Sequence, residues 1–73
     1  MSSVHTAVYQ RFLRRLKQAR LDAGLTQVQA AKLLKKRQTY VSKCELGERR
    51  VDFAELQRFA AAYGKSLDYF KTL

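Results

Sequence analysis

The chain contains no proline and only three glycines, Gly24, Gly47 and Gly64. Proline is the residue that most reliably interrupts a helix, and its absence leaves long stretches free to coil. Each glycine falls where a helical pattern runs out, the position that favours a left-handed closing residue. Nothing alternates with the two-residue period of a half-buried strand. The sequence therefore predicts an all-α fold: a single domain over residues 1–73, with five helices around one core and no linker or internal repeat.

Apolar spacing places the helices. The first is expected over about residues 3–23, with Val8, Phe12, Leu16 and Ala19 as its buried stripe and Arg11, Arg14, Arg15 and Lys17 on its other faces. Thr26 caps a second helix over about 27–34, and Gln29 three residues on completes a capping box. Val28, Ala31 and Leu34 are its expected core face, with Leu33 partly covered. A basic corner, Lys35-Lys36-Arg37, leads to a third helix over 38–46 that turns Val41 and Cys44 inward. Asp52, with Glu55 three positions later, caps a fourth helix over 52–63 whose stripe is Phe53, Leu56, Phe59, Ala60 and Tyr63. A fifth, short helix over 67–72 starts at Ser66 and lays Leu67 and Phe70 on the core.

Charge narrows the partners. Fifteen Lys/Arg against six Asp/Glu give a net charge of +9, a density that suits contact with a polyanion. Nucleic acid, an anionic membrane surface and a plain basic protein all remain open at the level of composition. No apolar run approaches the roughly 20 residues that span a bilayer. The first residues, MSSVHTAVYQRF, lack the apolar centre of a secretion signal. Cys44 is the single cysteine and has no internal disulfide partner, so a cytoplasmic location is expected. One cysteine and one histidine, His5, supply neither a zinc site nor an oriented nucleophile–base pair. No cofactor, metal, small-molecule substrate or enzymatic activity is expected.

Three segments carry a family resemblance: LRRLKQARLDAGLTQVQAAKLL, then QTYVSKCELGERR, then FAELQRFAAAYGKSLDYF. Together they resemble the Cro/C1-type (Xre-like, phage-repressor-like) helix-turn-helix family. The match spans roughly Phe12 to Phe70 and is most specific at Gly24-Leu25-Thr26-Gln27, Tyr40-Val41-Ser42-Lys43 and Glu45 to Arg50. The resemblance implies a five-helix lambda-repressor-like domain whose helices 2 and 3 form the helix-turn-helix, with helix 3 in the major groove. Two-fold dimers are common in that family. It also implies that Arg20 and Glu45 form a partly buried ion pair between the first and third helices.

The residues support the same assignment independently. Gln38 opens the third helix, and the amino-terminal end of a recognition helix points most directly at base edges. Its amide both donates and accepts, which matches the N6/N7 edge of adenine. Thr39 offers a hydroxyl or a methyl, and Ser42 and Lys43 follow one turn later, where Lys43 can reach guanine or a phosphate. Gln27 lies in the first turn of the second helix, whose partial positive charge suits a backbone phosphate. Lys36, Arg37, Arg49 and Arg50 bracket the reading face as phosphate contacts, and Tyr40 is assigned a phosphate contact through its hydroxyl.

Lys35 is the departure. Family members usually place glycine in this turn, and a side chain at positive φ costs about 1 kcal/mol. The corner is therefore expected to take a different shape, for example through a longer second helix. The function expected is a sequence-specific regulator of transcription, a repressor that binds double-stranded DNA at a near-palindromic operator. It is expected to act as a homodimer joined through Leu67, Tyr69, Phe70 and Leu73. An antitoxin-type protein-interaction module and a basic RNA-associated domain are the rivals.

Overall fold

A computed structural model describes residues 6–72. Four α-helices, α1 (Ala7–Asp22), α2 (Gln27–Leu34), α3 (Gln38–Leu46) and α4 (Phe53–Tyr63), are followed by a short turn of 3-10 helix, Leu67–Phe70. No strand occurs among the described residues. The expected fifth helix is thus a single tight turn that ends at Phe70. Four residues are enough to carry Phe70 back to the core, where it is 4% exposed.

Local chemistry sets most boundaries. Thr6 has an extended backbone and its hydroxyl accepts from the Tyr9 N–H at 3.1 Å, so α1 begins at Ala7, later than expected. Ser3, Val4 and His5, which fall within the helix expected above, lie outside the described residues. Reciprocal capping boxes open α2, through Thr26 and Gln29, and α4, through Asp52 and Glu55. In α4 the Asp52 carboxylate accepts from the Glu55 N–H at 2.7 Å, and Glu55 accepts from the Asp52 N–H at 3.0 Å.

Every helix ends the same way, including the one without glycine. The Lys36 N–H donates to the Ala31 carbonyl at 2.9 Å and the Lys35 N–H to that of Lys32 at 3.2 Å, the paired closure of a Schellman motif. Lys35 sits at φ 56°, ψ 43°, squarely left-handed, and is the one positive-φ residue among the described non-glycines. The corner therefore keeps the shape that glycine would give it, and α2 is not lengthened. Ala30 and Ala31 before the corner and Val41 after it are buried, so core packing on both sides supports the left-handed turn. Lys35→Gly should accordingly stabilise the fold by up to about 0.5 kcal/mol, the left-handed strain less glycine's entropic cost. Urea unfolding at neutral pH checks this; a variant less stable than the parent contradicts it.

The core joins Leu16 and Ala19 of α1, Ala30 and Ala31 of α2, Val41 and Cys44 of α3, Phe59, Ala60 and Tyr63 of α4, and Phe70. The centre of each expected stripe is buried, from Leu16 and Ala19 in α1 to Phe59, Ala60 and Tyr63 in α4, and the differences lie at flanking positions. In α1, Leu13 is buried and Val8 is exposed; in α2, Ala30 replaces Val28, which is 52% exposed, and Leu33 is exposed as well. In α4, Phe53 is 64% exposed while Glu55 is buried. Small alanines let α2 approach its neighbours closely, and larger apolar side chains are left at the rim. Polar residues with partners, Arg20 and Glu55, occupy inward positions that hydrophobicity alone cannot find.

Candidate nucleic-acid interface

The face of α3 opposite Val41 and Cys44 carries Gln38, Thr39, Ser42 and Lys43. Gln38, Thr39 and Lys43 are exposed and Ser42 is half-buried. The four therefore form two i,i+4 pairs on one outward strip, Gln38 with Ser42 and Thr39 with Lys43.

Gln38 is not left to wander. Its Nε2 donates to Gln27 Oε1 at 2.6 Å, and Gln27 Nε2 donates to Glu45 Oε1 at 3.1 Å. Glu45 in turn holds Arg20 bidentately, Nε to Oε2 at 2.6 Å and Nη2 to Oε1 at 3.1 Å. The Arg20 Nη1 donates to the Leu25 carbonyl at 2.8 Å, tying the pair to the loop before α2. Both side chains of the pair are almost fully enclosed, 7% and 5% exposed. The hydrogen bond to Glu45 outweighs burial and raises the Arg20 guanidinium's already high pKa. A chain of polar contacts thus runs from the interior to the first residue of α3. After its bond to Gln27, the Gln38 amide retains one N–H and its carbonyl oxygen, the donor and acceptor that an adenine edge requires.

Gln27 is consequently occupied by two protein partners, with its second Nε2–H left over. The capping box leaves the N–H groups of Gln27 and Val28 at the mouth of α2, beside that remaining donor. At the mouth of α3, Arg37 has an extended backbone and makes no side-chain cap bond.

Tyr40 is placed differently from its sequence assignment. Its ring lies parallel to Phe59, 6.0 Å between centroids, and its hydroxyl donates to Glu55 Oε2 at 2.8 Å. A phosphate is not where this hydroxyl points. Burial and the bond to Glu55 push the phenol well above its ordinary range. The cations gather around it instead: the Lys36 ammonium lies 5.1 Å and the Arg49 guanidinium 5.3 Å from the ring centroid. Arg49 Nη2 also donates to Glu55 Oε2 at 2.7 Å.

Glu55 is the residue that the sequence reading recognised as a cap and missed as a junction. Burial alone would raise its carboxyl, but the Asp52 N–H, the Tyr40 hydroxyl and the Arg49 guanidinium together hold it below the usual carboxylate range. Tyr9 was missed altogether. Its hydroxyl accepts from the Val51 N–H at 3.0 Å, and the Arg50 guanidinium covers its ring at 4.6 Å. The segment carrying Arg49 and Arg50 is therefore pinned between α1 and α4. No sequence spacing marks either contact, since Tyr9 and Val51 are 42 residues apart.

The described residues contain no group of His, Cys, Asp and Glu suited to a metal, and no helix among them is long and apolar enough to cross a membrane. Cys44 is fully buried, and its surroundings push the thiol's pKa up. With this geometry in view, the family match gains physical content. Residues 16–70 match the family described as Helix-turn-helix (HTH_3). The chain belongs to this Cro/C1-type, Xre-like family of DNA-binding regulatory domains. No curated protein matches it as a relative.

Proposed function

We propose that this chain is a sequence-specific regulator of transcription that binds double-stranded DNA as a homodimer and represses by occupying its operator. The observation that carries the reading is the exposed Gln38 amide, held at the start of α3 by Gln27, Glu45 and Arg20. A side chain fixed before binding loses less entropy on contact, and its orientation favours one base edge over others. Gln38, Thr39, Ser42 and Lys43 read. Gln27, Lys36, Arg37, Arg49 and Arg50 hold phosphates, and Tyr40 acts indirectly by seating Lys36 and Arg49.

A module this small reads only a few base pairs, so two copies related by a two-fold axis are proposed, their third helices about 34 Å apart. The proposed contact is the C-terminal turn. Phe70 belongs to the monomer's own core, which leaves Leu67 as its exposed apolar residue; Leu73 lies outside the described residues. The antitoxin-type reading is disfavoured by the exposure of Gln38, which such a module has no reason to preserve.

Selection of bound duplexes from a random pool at about 150 mM salt tests this. The expected result is a palindromic consensus with half-sites one helical turn apart. Gln38→Ala should lose about 1–3 kcal/mol of discrimination at one base pair per half-site while leaving the melting temperature unchanged. No enrichment over competitor DNA would return the protein-interaction reading to the front.

A further inference from the structure

The two flanks of α1 meet different neighbours. One carries Arg20 to Glu45 of α3. The other faces the C-terminal segment: Arg15 Nη1 donates to the Tyr69 carbonyl at 2.8 Å, Arg11 Nε to that of Thr72 at 3.3 Å, and Lys65 pairs with Asp22 at 3.0 Å. Between α1 and this segment lies a concavity of about 370 Å³ lined by Arg11, Arg14, Arg15, Gln18 and Tyr69. The reading strip of α3 takes no part in it.

Three guanidiniums stand here within little more than one helical turn, and no carboxylate among the described residues pairs with them. The nearby acids are already engaged. Asp22 accepts from Gln18 at 2.7 Å and from Lys65, which together hold its carboxyl below the usual range, and Asp68 is paired with Lys71. A run of charge on a helix is ordinarily a solvated face, free to spread apart. Here two of the three forks are anchored to backbone carbonyls, and Arg15 also lies 5.7 Å from the centre of the Tyr69 ring. Each anchored guanidinium has spent one of its five donors. The rest remain, in rigid planar forks whose mutual repulsion a multiply charged anion would relieve.

We propose that this concavity is a second anion site, specific for phosphate groups and separate from the DNA-reading face. The Tyr69 ring is already flanked by Arg15 and by Lys65 at 4.4 Å, so the site has little aromatic surface to offer a nucleobase. It recognises charge and phosphate geometry. Its phosphates have two sources, a free polyphosphate or the backbone of a second nucleic-acid segment. The inference does not depend on how α3 reads DNA.

Titration of the isotopically labelled full chain separates these sources. In one arm inorganic tripolyphosphate is added, with sodium chloride at matched ionic strength as control; in the other, a short DNA duplex is added to Gln38→Ala protein. The resonances followed are the Arg11 and Arg15 Nε–H groups and the Gln18 side-chain amide. Saturable shifts are expected in at least one arm: tripolyphosphate alone identifies a free anion, and the duplex identifies a second strand. Arg14→Glu, at a side chain that makes no hydrogen bond or ion pair among the described residues, should weaken that binding at least tenfold with the melting temperature preserved. Shifts that merely follow ionic strength in both arms, or saturable binding that survives Arg14→Glu unchanged, would overturn the proposal.

Discussion

Arg20→Ala should lower the stability of this domain by about 3–5 kcal/mol, the largest effect expected of any single substitution outside its apolar core. The cause is what remains behind. Glu45 is 5% exposed, and without Arg20 its carboxylate keeps only the Gln27 amide as a side-chain donor. A charge enclosed with so little compensation costs far more than the pair itself contributes. For a domain of this size the loss is a large share of total stability, and the melting temperature should fall by more than about 15 °C. The double variant Arg20→Met/Glu45→Met separates two roles. Removing both charges should restore most of the stability, because an apolar pair of similar volume is often neutral or better. DNA affinity should stay reduced, because Gln27 and Gln38 would still lack their anchor. Thermal melts and operator titrations on the same two variants decide it. An unchanged melting temperature in Arg20→Ala would show the pair to be energetically idle.

The second large effect concerns salt. Replacing Lys35, Lys36 and Arg37 together by glutamine should flatten the slope of log K against log salt by about 1.8 per protomer, at about 0.9 for each of the phosphate contacts assigned to Lys36 and Arg37. Across a fourfold rise in salt the parent would then lose about 12-fold more affinity per protomer than the variant. Lys35 and Arg37 are exposed and make no side-chain hydrogen bond or ion pair among the described residues, and Lys36 rests on Tyr40. The fold should therefore tolerate the change, and specificity at each base pair should persist, since phosphate contacts position without reading. A slope unchanged in the triple variant would remove the corner from the interface. A consensus altered at several positions would instead mean that the corner reads bases.

Both predictions draw on residues that were visible in the sequence to different degrees. Arg20 and Glu45 could be paired only through family resemblance, since 25 residues separate them. Gln27 was legible as a polar side chain in the first turn of α2, and its role as the link between Glu45 and Gln38 was not. Tyr40 was assigned a phosphate contact through its hydroxyl. The tertiary structure turned its hydroxyl to Glu55, whose own burial no stripe of apolar residues announced. The errors share one origin: a polar side chain that is buried because it has partners looks, in sequence, like a side chain that is exposed.

The sequence by itself determined where α2 and α4 start and where α1, α3 and α4 stop. Thr26 with Gln29, Asp52 with Glu55, and glycines at 24, 47 and 64 act through hydrogen bonds and dihedral preferences that span at most five residues. Such signals are complete within their own segment. Only the tertiary structure decided that Leu13, Ala30 and Glu55 turn inward while Val8, Val28 and Phe53 stay at the surface, that Lys35 accepts a left-handed backbone, and that Tyr9, Tyr40 and Glu55 pin the basic segment after α3. Those outcomes depend on competition among helices for one small core, where close-packed alanines and paired charges displace larger apolar side chains. That competition is settled by contacts between residues far apart in the chain, and a local pattern carries no record of it.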